Sequence, residues 1–323
     1  MASEIALTAR PAARGRPGSV GDAAFRTLTL AVALAVLGIL GGVLVALAVG
    51  AWPALRTFGL GFLTTEVWNP VRDRFGALTA IYGTLVTSAI AMLIGIPVAF
   101  GVALFITELC PIWLKRPLAT MIELLAAIPS IIYGIWGLFV LAPFVQQHIE
   151  PALIATLGHA PGIGAVFAGP PLGIGVLTAG FILAIMVLPF ISSVMRDVFE
   201  TVPPVLKESA YGLGATTTEV VWQVVMPYTR IGVMGGILLG LGRALGETMA
   251  VTFVIGNSHR IHASILQPGT TISAALANEF TEAVGDLYQS SLIALGLILF
   301  AITFVVLAIA KLMLLRLRSG AGT

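Results

Sequence analysis

Residues 81–106 read IYGTLVTSAIAMLIGIPVAFGVALFI, without a single charged side chain. At about 1.5 Å per residue a helix of this length reaches about 39 Å, beyond the ~30 Å hydrocarbon core of a bilayer. Backbone N–H and C=O groups find no water in hydrocarbon, so the run is expected to satisfy them internally, as a helix. Working outward, further apolar runs lie at 27–50, 118–143, 172–195, 231–256 and 289–315. Together they predict an all-α membrane protein with six transmembrane helices. The composition agrees: 58% of the 323 residues are hydrophobic and 10% charged, against about a quarter charged in soluble domains. Mean hydropathy is +1.03. The first run is too long for the apolar region of a cleaved signal and is expected to stay as a helix.

The cationic residues orient these spans. Of the 17 Lys and Arg, twelve fall on the side that holds both chain ends and four, Arg56, Arg72, Arg74 and Arg260, on the other. The positive-inside rule then makes both termini cytoplasmic. The expected layout is a disordered basic tail over 1–26, a first transmembrane helix over 27–50, and an external segment over 51–80. A helical core over 81–315 carries an inward loop at 196–230, and 316–323 form a second cytoplasmic tail. In 51–80, Trp52, Trp68 and Phe75 are expected at headgroup level. Pro151, Pro161, Pro170, Pro171 and four glycines predict an irregular external loop over 144–171, and a short helix is expected over Ile272 to Val284.

Cys110 is the sole cysteine, and His148, His159, His259 and His262 fall in expected external loops; His259 and His262 are three apart but have no acidic or cysteine partner nearby in sequence. No metal site is expected from them. No phosphate-binding G-x-x-x-x-G-K-[ST] loop occurs, so energy must come from a partner or an ion gradient. The helices lack a nucleophile–base constellation, which argues against an intramembrane enzyme.

One arginine, Arg243, falls near the middle of the fifth run, where a charge is costly and by default functional. On a helical wheel it shares an arc with Gly232, Gly236, Gly240 and Glu247, so it faces protein or a water-filled path. Two readings stand: an ion pair with Glu247, or a planar grip on a passing oxyanion. Glu247 would suit an anion that still carries a proton. Small and polar residues repeat at helical spacing in the second run (Thr84, Thr87, Ser88, Ala91, Gly95) and the third (Glu123, Ala127, Ser130, Gly134, Gly137). Thr87, Ser88, Glu123 and Ser130 are therefore candidates to line the path.

The inward loop at 196–230 contains two helical pieces. Pro203 and Pro204 open the first, and Gly212 and Gly214 close it. Thr216 and Glu219 form a T-x-x-E capping box for the second, which is expected to stop at Pro227. Glu208-Ser-Ala-Tyr-Gly-Leu-Gly214 with Met226-Pro227 resembles the E-A-A…G…L-P signature of bacterial ABC-importer permeases. Ser209 and Met226 depart mildly from the commonest pattern. AAIPSIIYGIWG at 126–137, GLGRALGETMAV at 240–251 and AALANEF at 274–280 resemble, more narrowly, the PstC-type phosphate permeases.

The resemblance implies a type I ABC importer permease fold in a bacterial plasma membrane. It implies a PstA-type second permease, two PstB-type ATPase subunits carrying ATP and Mg, and an external phosphate-binding protein, with no cofactor in this chain. Glu208, Ala210, Gly214 and Pro227 would couple it to the ATPase. Permeases for molybdate or sulfate, and a secondary anion transporter, remain the alternatives at this point.

Overall fold

In the computed structural model, residues 20–319 are described, and every regular element among them is helical. The basic tail expected over 1–26 therefore lies mostly outside the described residues, and so does the end of the tail expected over 316–323. Among the described residues, six helices are long and apolar enough to cross a membrane: Gly21–Phe58, Leu78–Leu109, Ser130–Leu157, Val176–Glu200, Thr217–Gly246 and Asp286–Leu312.

The chain divides into two units, Met1–Val49 and Gly50–Thr323. The described part of the first belongs to helix α1 (Val20–Phe58), and the apolar side chains Phe25, Leu28, Leu37 and Val49 are all exposed. A helix this apolar on every face is a bilayer span rather than an amphipathic surface helix.

The second unit is built around α5 (Val176–Glu200), whose side chains are mostly buried. Helix α2 (Leu78–Leu104, continued by a wider π turn over Phe105–Leu109) packs along it. Close approach depends on glycine: a Cβ at Gly180 would meet Ile90 at 2.5 Å, and one at Gly95 would meet Val187 at 3.2 Å. Helix α7 (Thr217–Gly246) covers another face of α5 through Gly232, Gly236 and Gly240, set against Val198, Val194 and Ile191. The glycine arc of the sequence is thus a packing surface for α5.

The third span departs from expectation. The run 118–143 is split between α3 (Ile112–Ala127) and α4 (Ser130–Leu157) by extended backbone at Ile128 and Pro129. Proline at 129 disfavours helical backbone at 128, so the break is written into the chain. Helix α4 then runs through Pro143 and Pro151 to Leu157, where a loop was expected from 144, and His148 lies on helix. Likewise the second piece of the inward loop does not stop at Pro227 but continues as α7. Each of these prolines follows a π turn: Gly137–Leu141, Val145–Ile149 and Val221–Val225. A wider turn moves the carbonyl four residues back off the proline ring, so the helix absorbs the proline instead of ending.

Helix α6 (Pro204–Gly212) sits at one end of the unit, and the capping box between Thr216 and Glu219 that starts α7 is formed. At the opposite end lie α8 (Met249–Val254), α9 (Ile272–Glu279) and the start of α10 (Asp286–Ser319). Helix α9 is shorter than the stretch to Val284 expected from sequence. Phe62, Phe75, Ile272 and Leu292 form a second apolar core at this α9 end. Phe75 is 2% exposed and Trp68 is half-buried against it, so these two rings are packed within the protein, whereas Trp52 is exposed.

Candidate functional site

Two interrupted helices meet at their interruptions. At the first, the carbonyl of Leu125 is released from the helical ladder and accepts both Ile128 N–H (3.3 Å) and the Tyr133 hydroxyl (2.9 Å). At the second, α7 ends at Gly246, Glu247 is extended, and Thr248 leads into α8. The Thr248 hydroxyl donates to the Gly246 carbonyl at 3.4 Å, and Glu247 Oε1 accepts from Ala250 N at 3.4 Å. Immediately beyond both breaks the start of α4 packs on α8, where a Cβ at Gly134 would lie 2.7 Å from the Phe253 ring and 3.0 Å from Ala250 Cα. Non-helical backbone within an apolar span is tolerated where it lines a cavity or is enclosed by protein, and paired half-helices of this kind build anion and ion sites.

Arg243 is in the last turn of α7, where the helix dipole favours a cation, and Glu247 stands at the N-terminal side of α8, where it favours an anion. The continuous helix assumed in placing Glu247 one turn above Arg243 is absent, and the two side chains do not pair: Arg243 has neither an ion pair nor a hydrogen bond among the described residues. It is exposed, within electrostatic reach of the Tyr133 hydroxyl. The breaks therefore bring Ser130, Tyr133, Arg243 and Glu247 into one region. Tyr133 was not singled out from sequence, although a tyrosine four residues after a helix-breaking proline is a natural partner for the carbonyl that the break frees.

The other expected path residues lie elsewhere. Thr87 and Ser88 are buried on α2; the Thr87 hydroxyl donates to the Gly83 carbonyl at 2.8 Å, while Ser88 Oγ has no hydrogen-bond partner among the described residues. Glu123 is exposed on α3 and binds Arg196 of α5 at 3.0 Å.

Around α6, Glu208 is exposed and Ala210 is half-buried. Gly214 closes the helix at φ +89°, a left-handed conformation that favours glycine. Val205, Leu206 and Leu213 are exposed beside them, an apolar surface at the tip of the loop. Pro227 is exposed at the end of the π turn of α7.

Residues 95–319 match the family described as binding-protein-dependent transport system inner membrane component. The chain belongs to this family. It is 64% identical over 301 residues to the phosphate transport system permease protein PstC of Mesorhizobium japonicum, covering 93% of this chain and 92% of that relative. The protein of the same name from Haemophilus influenzae is 54% identical, with 93% and 95% covered. A chain of the MetNI methionine ABC transporter in inward-facing conformations superposes with a TM-score of 0.50 at 17% identity, covering 77% of this chain and 96% of that one. That likeness concerns the fold alone. Within this family the chain is a permease subunit, a transport component without a catalytic role of its own.

Proposed function

We propose that this chain is the membrane-spanning subunit through which inorganic phosphate is imported, driven by ATP bound with Mg on separate ATPase subunits. The observation that carries the reading is Arg243: a guanidinium at a helix C-terminus, beside a second helix break, that forms no ion pair among the described residues. A fixed planar cation of this kind suits a tetrahedral oxyanion, which it grips through two parallel hydrogen bonds. The relatives named as phosphate permeases, 64% and 54% identical and aligned over more than nine-tenths of their length, support phosphate as that anion.

In this reading Glu247 accepts a hydrogen bond from the proton that phosphate retains near neutral pH, and Ser130 and Tyr133 offer hydroxyls beside it. Thr87, Ser88 and Glu123 are assigned to the path more remotely. The loop of α6, with Glu208, Ala210, Gly214 and Pro227, docks on the ATPase and passes on its closure, so that the bundle alternates between outward and inward access. The cationic balance supports placing α6 and both termini in the cytoplasm, with the α9 end outside. The expected assembly is a bacterial plasma-membrane complex of this chain with a PstA-type permease, two PstB-type ATPases and an external phosphate-binding protein.

Uptake of labelled phosphate into proteoliposomes holding the whole assembly, with molybdate and sulfate as competitors, tests the reading. Competition by molybdate or sulfate at phosphate-like concentrations would reassign the substrate. Uptake without ATP hydrolysis would overturn the coupling.

A further inference from the structure

Lys207 lies midway along α6, and its Nζ is 2.6 Å from Glu108 Oε1 in the π turn that ends α2. The two side chains are 19% and 7% exposed. The other ion pairs near this end, Lys115–Glu200 and Arg196 with Glu123 and Asp197, each have a carboxylate about half exposed or more. Water screens such pairs until they contribute little, whereas a pair withdrawn from water holds its geometry and is costly to break. Helix α6 rests otherwise on the first turns of α7. Lys207 is therefore its charged tie to α2.

At the other end of α2, the buried Thr84 hydroxyl accepts the backbone N–H of Ile272, the first residue of α9, at 3.0 Å. Thr84 and Glu108 are about 36 Å apart along a helix at 1.5 Å per residue. One helix, braced on α5 for most of its length, thus has a specific polar tie to the coupling helix at one end and to α9 at the other. Pro97 interrupts its ladder, but the packing of Gly95 on Val187 and Ala184 holds α2 to α5 at that level.

We propose that Lys207 and Glu108 are positioning residues that make α2 the rod transmitting movement of α6 to α9 through Thr84. The inference rests on the reading above that α6 meets an ATPase and that the cargo is phosphate. Displacement of α6 drags the end of α2, because leaving either charge of the pair unpartnered is unfavourable. The rod then carries the movement to the segment whose backbone it holds.

The test uses the complete assembly in proteoliposomes, read as phosphate taken up per ATP hydrolysed, with retention of the ATPase on the purified membrane subunits measured in parallel. Lys207→Met and Glu108→Gln should each lower that ratio by about 2- to 30-fold, the range for residues that modulate coupling between sites, with ATPase retention unchanged. The exchanged pair, Lys207→Glu with Glu108→Lys, should recover most of the loss. Thr84→Val should lower the ratio too, and combining it with Lys207→Met should add little, because both cut one line.

Ratios unchanged in the single variants, no recovery in the exchanged pair, or additive losses in the Thr84 and Lys207 combination would overturn the proposal. Loss of ATPase retention would also overturn it, by making the pair an assembly element. A wild-type assembly that takes up no phosphate would fail the substrate reading before any variant is compared. Variants that match a transporting wild type fail only the rod.

Discussion

Trp68 and His259 stack face to face, ring centroids 5.3 Å apart and planes 7° from parallel, and both donate from a ring nitrogen to Glu279, each at 2.6 Å. The Tyr288 hydroxyl donates to the same carboxylate at 2.7 Å. A carboxylate only accepts, so three donors from three separate segments converge on one acceptor and tie the chain around α9. His259 has no acidic neighbour in sequence; the fold supplies one from twenty residues away.

This tie sets a pH response. Burial pushes the Glu279 carboxyl upward, and the hydrogen bonds from His259 and Tyr288, the His259 charge and the Trp68 bond together outweigh it and hold the group below its ordinary 4.5. A depressed folded value means that the stabilisation is complete above about pH 4.5 and is lost as pH falls through the lower folded value. Glu279→Gln should cost about 1–3 kcal/mol at neutral pH. The deficit against wild type should shrink below pH 4.5, measured by thermal unfolding or by hydrogen exchange over 272–279. A deficit that does not vary with pH would exclude an ionised Glu279 as its source.

For Arg243, substitution by Gln should leave protein level and melting temperature unchanged, because the side chain is exposed and unpaired. It should weaken phosphate uptake by about ten- to a hundredfold, the equivalent of a lost charge-assisted hydrogen bond or two. Arg243→Lys should retain charge without the planar fork and fall between the two. Normal uptake by the Gln variant would remove Arg243 from the path.

Gly83 packs α2 against the loop before α9, where a Cβ would overlap the backbone carbonyl oxygen of Thr270. Gly83→Ala should therefore destabilise the protein by about 1–3 kcal/mol, the usual cost of forcing an extra methyl into a packed interface. Gly235→Ala, on the same helix as Gly236 but with open space around its Cβ, is the control and should be neutral or slightly stabilising. Unfolding in detergent distinguishes them.

At the α6 loop, Glu208→Ala should change stability by no more than about 0.5 kcal/mol, as expected of an exposed site, yet reduce ATPase retention in a pull-down. Gly214→Ala should cost about 1 kcal/mol from the left-handed backbone it imposes on a Cβ. Full retention of the ATPase by both variants would remove this loop from the docking surface.

The number of spans was legible in the sequence because a bilayer leaves an uncharged run of this length little choice but a helix. The capping box at Thr216 and Glu219 was legible for a similar reason, since its hydrogen bonds close within four residues. What misled were the prolines. Pro129 breaks a span while Pro143, Pro151 and Pro227 are absorbed, and the difference lies in π turns that hydropathy does not register. A wheel drawn through Glu247 likewise assumed a helix that stops at Gly246.

By itself, then, the sequence determined that this is a membrane protein of six spans with a costly arginine in the fifth, because burial of backbone and charge in hydrocarbon is a local constraint. Only the tertiary structure decided that the glycine arc faces α5, that two helix breaks lie side by side, and that Arg243 and Glu247 remain apart. Glu279 with His259, and Lys207 with Glu108, are likewise partners chosen by packing. Which side chains meet depends on how distant helices pack, and the periodicity of a single helix carries no record of its neighbours.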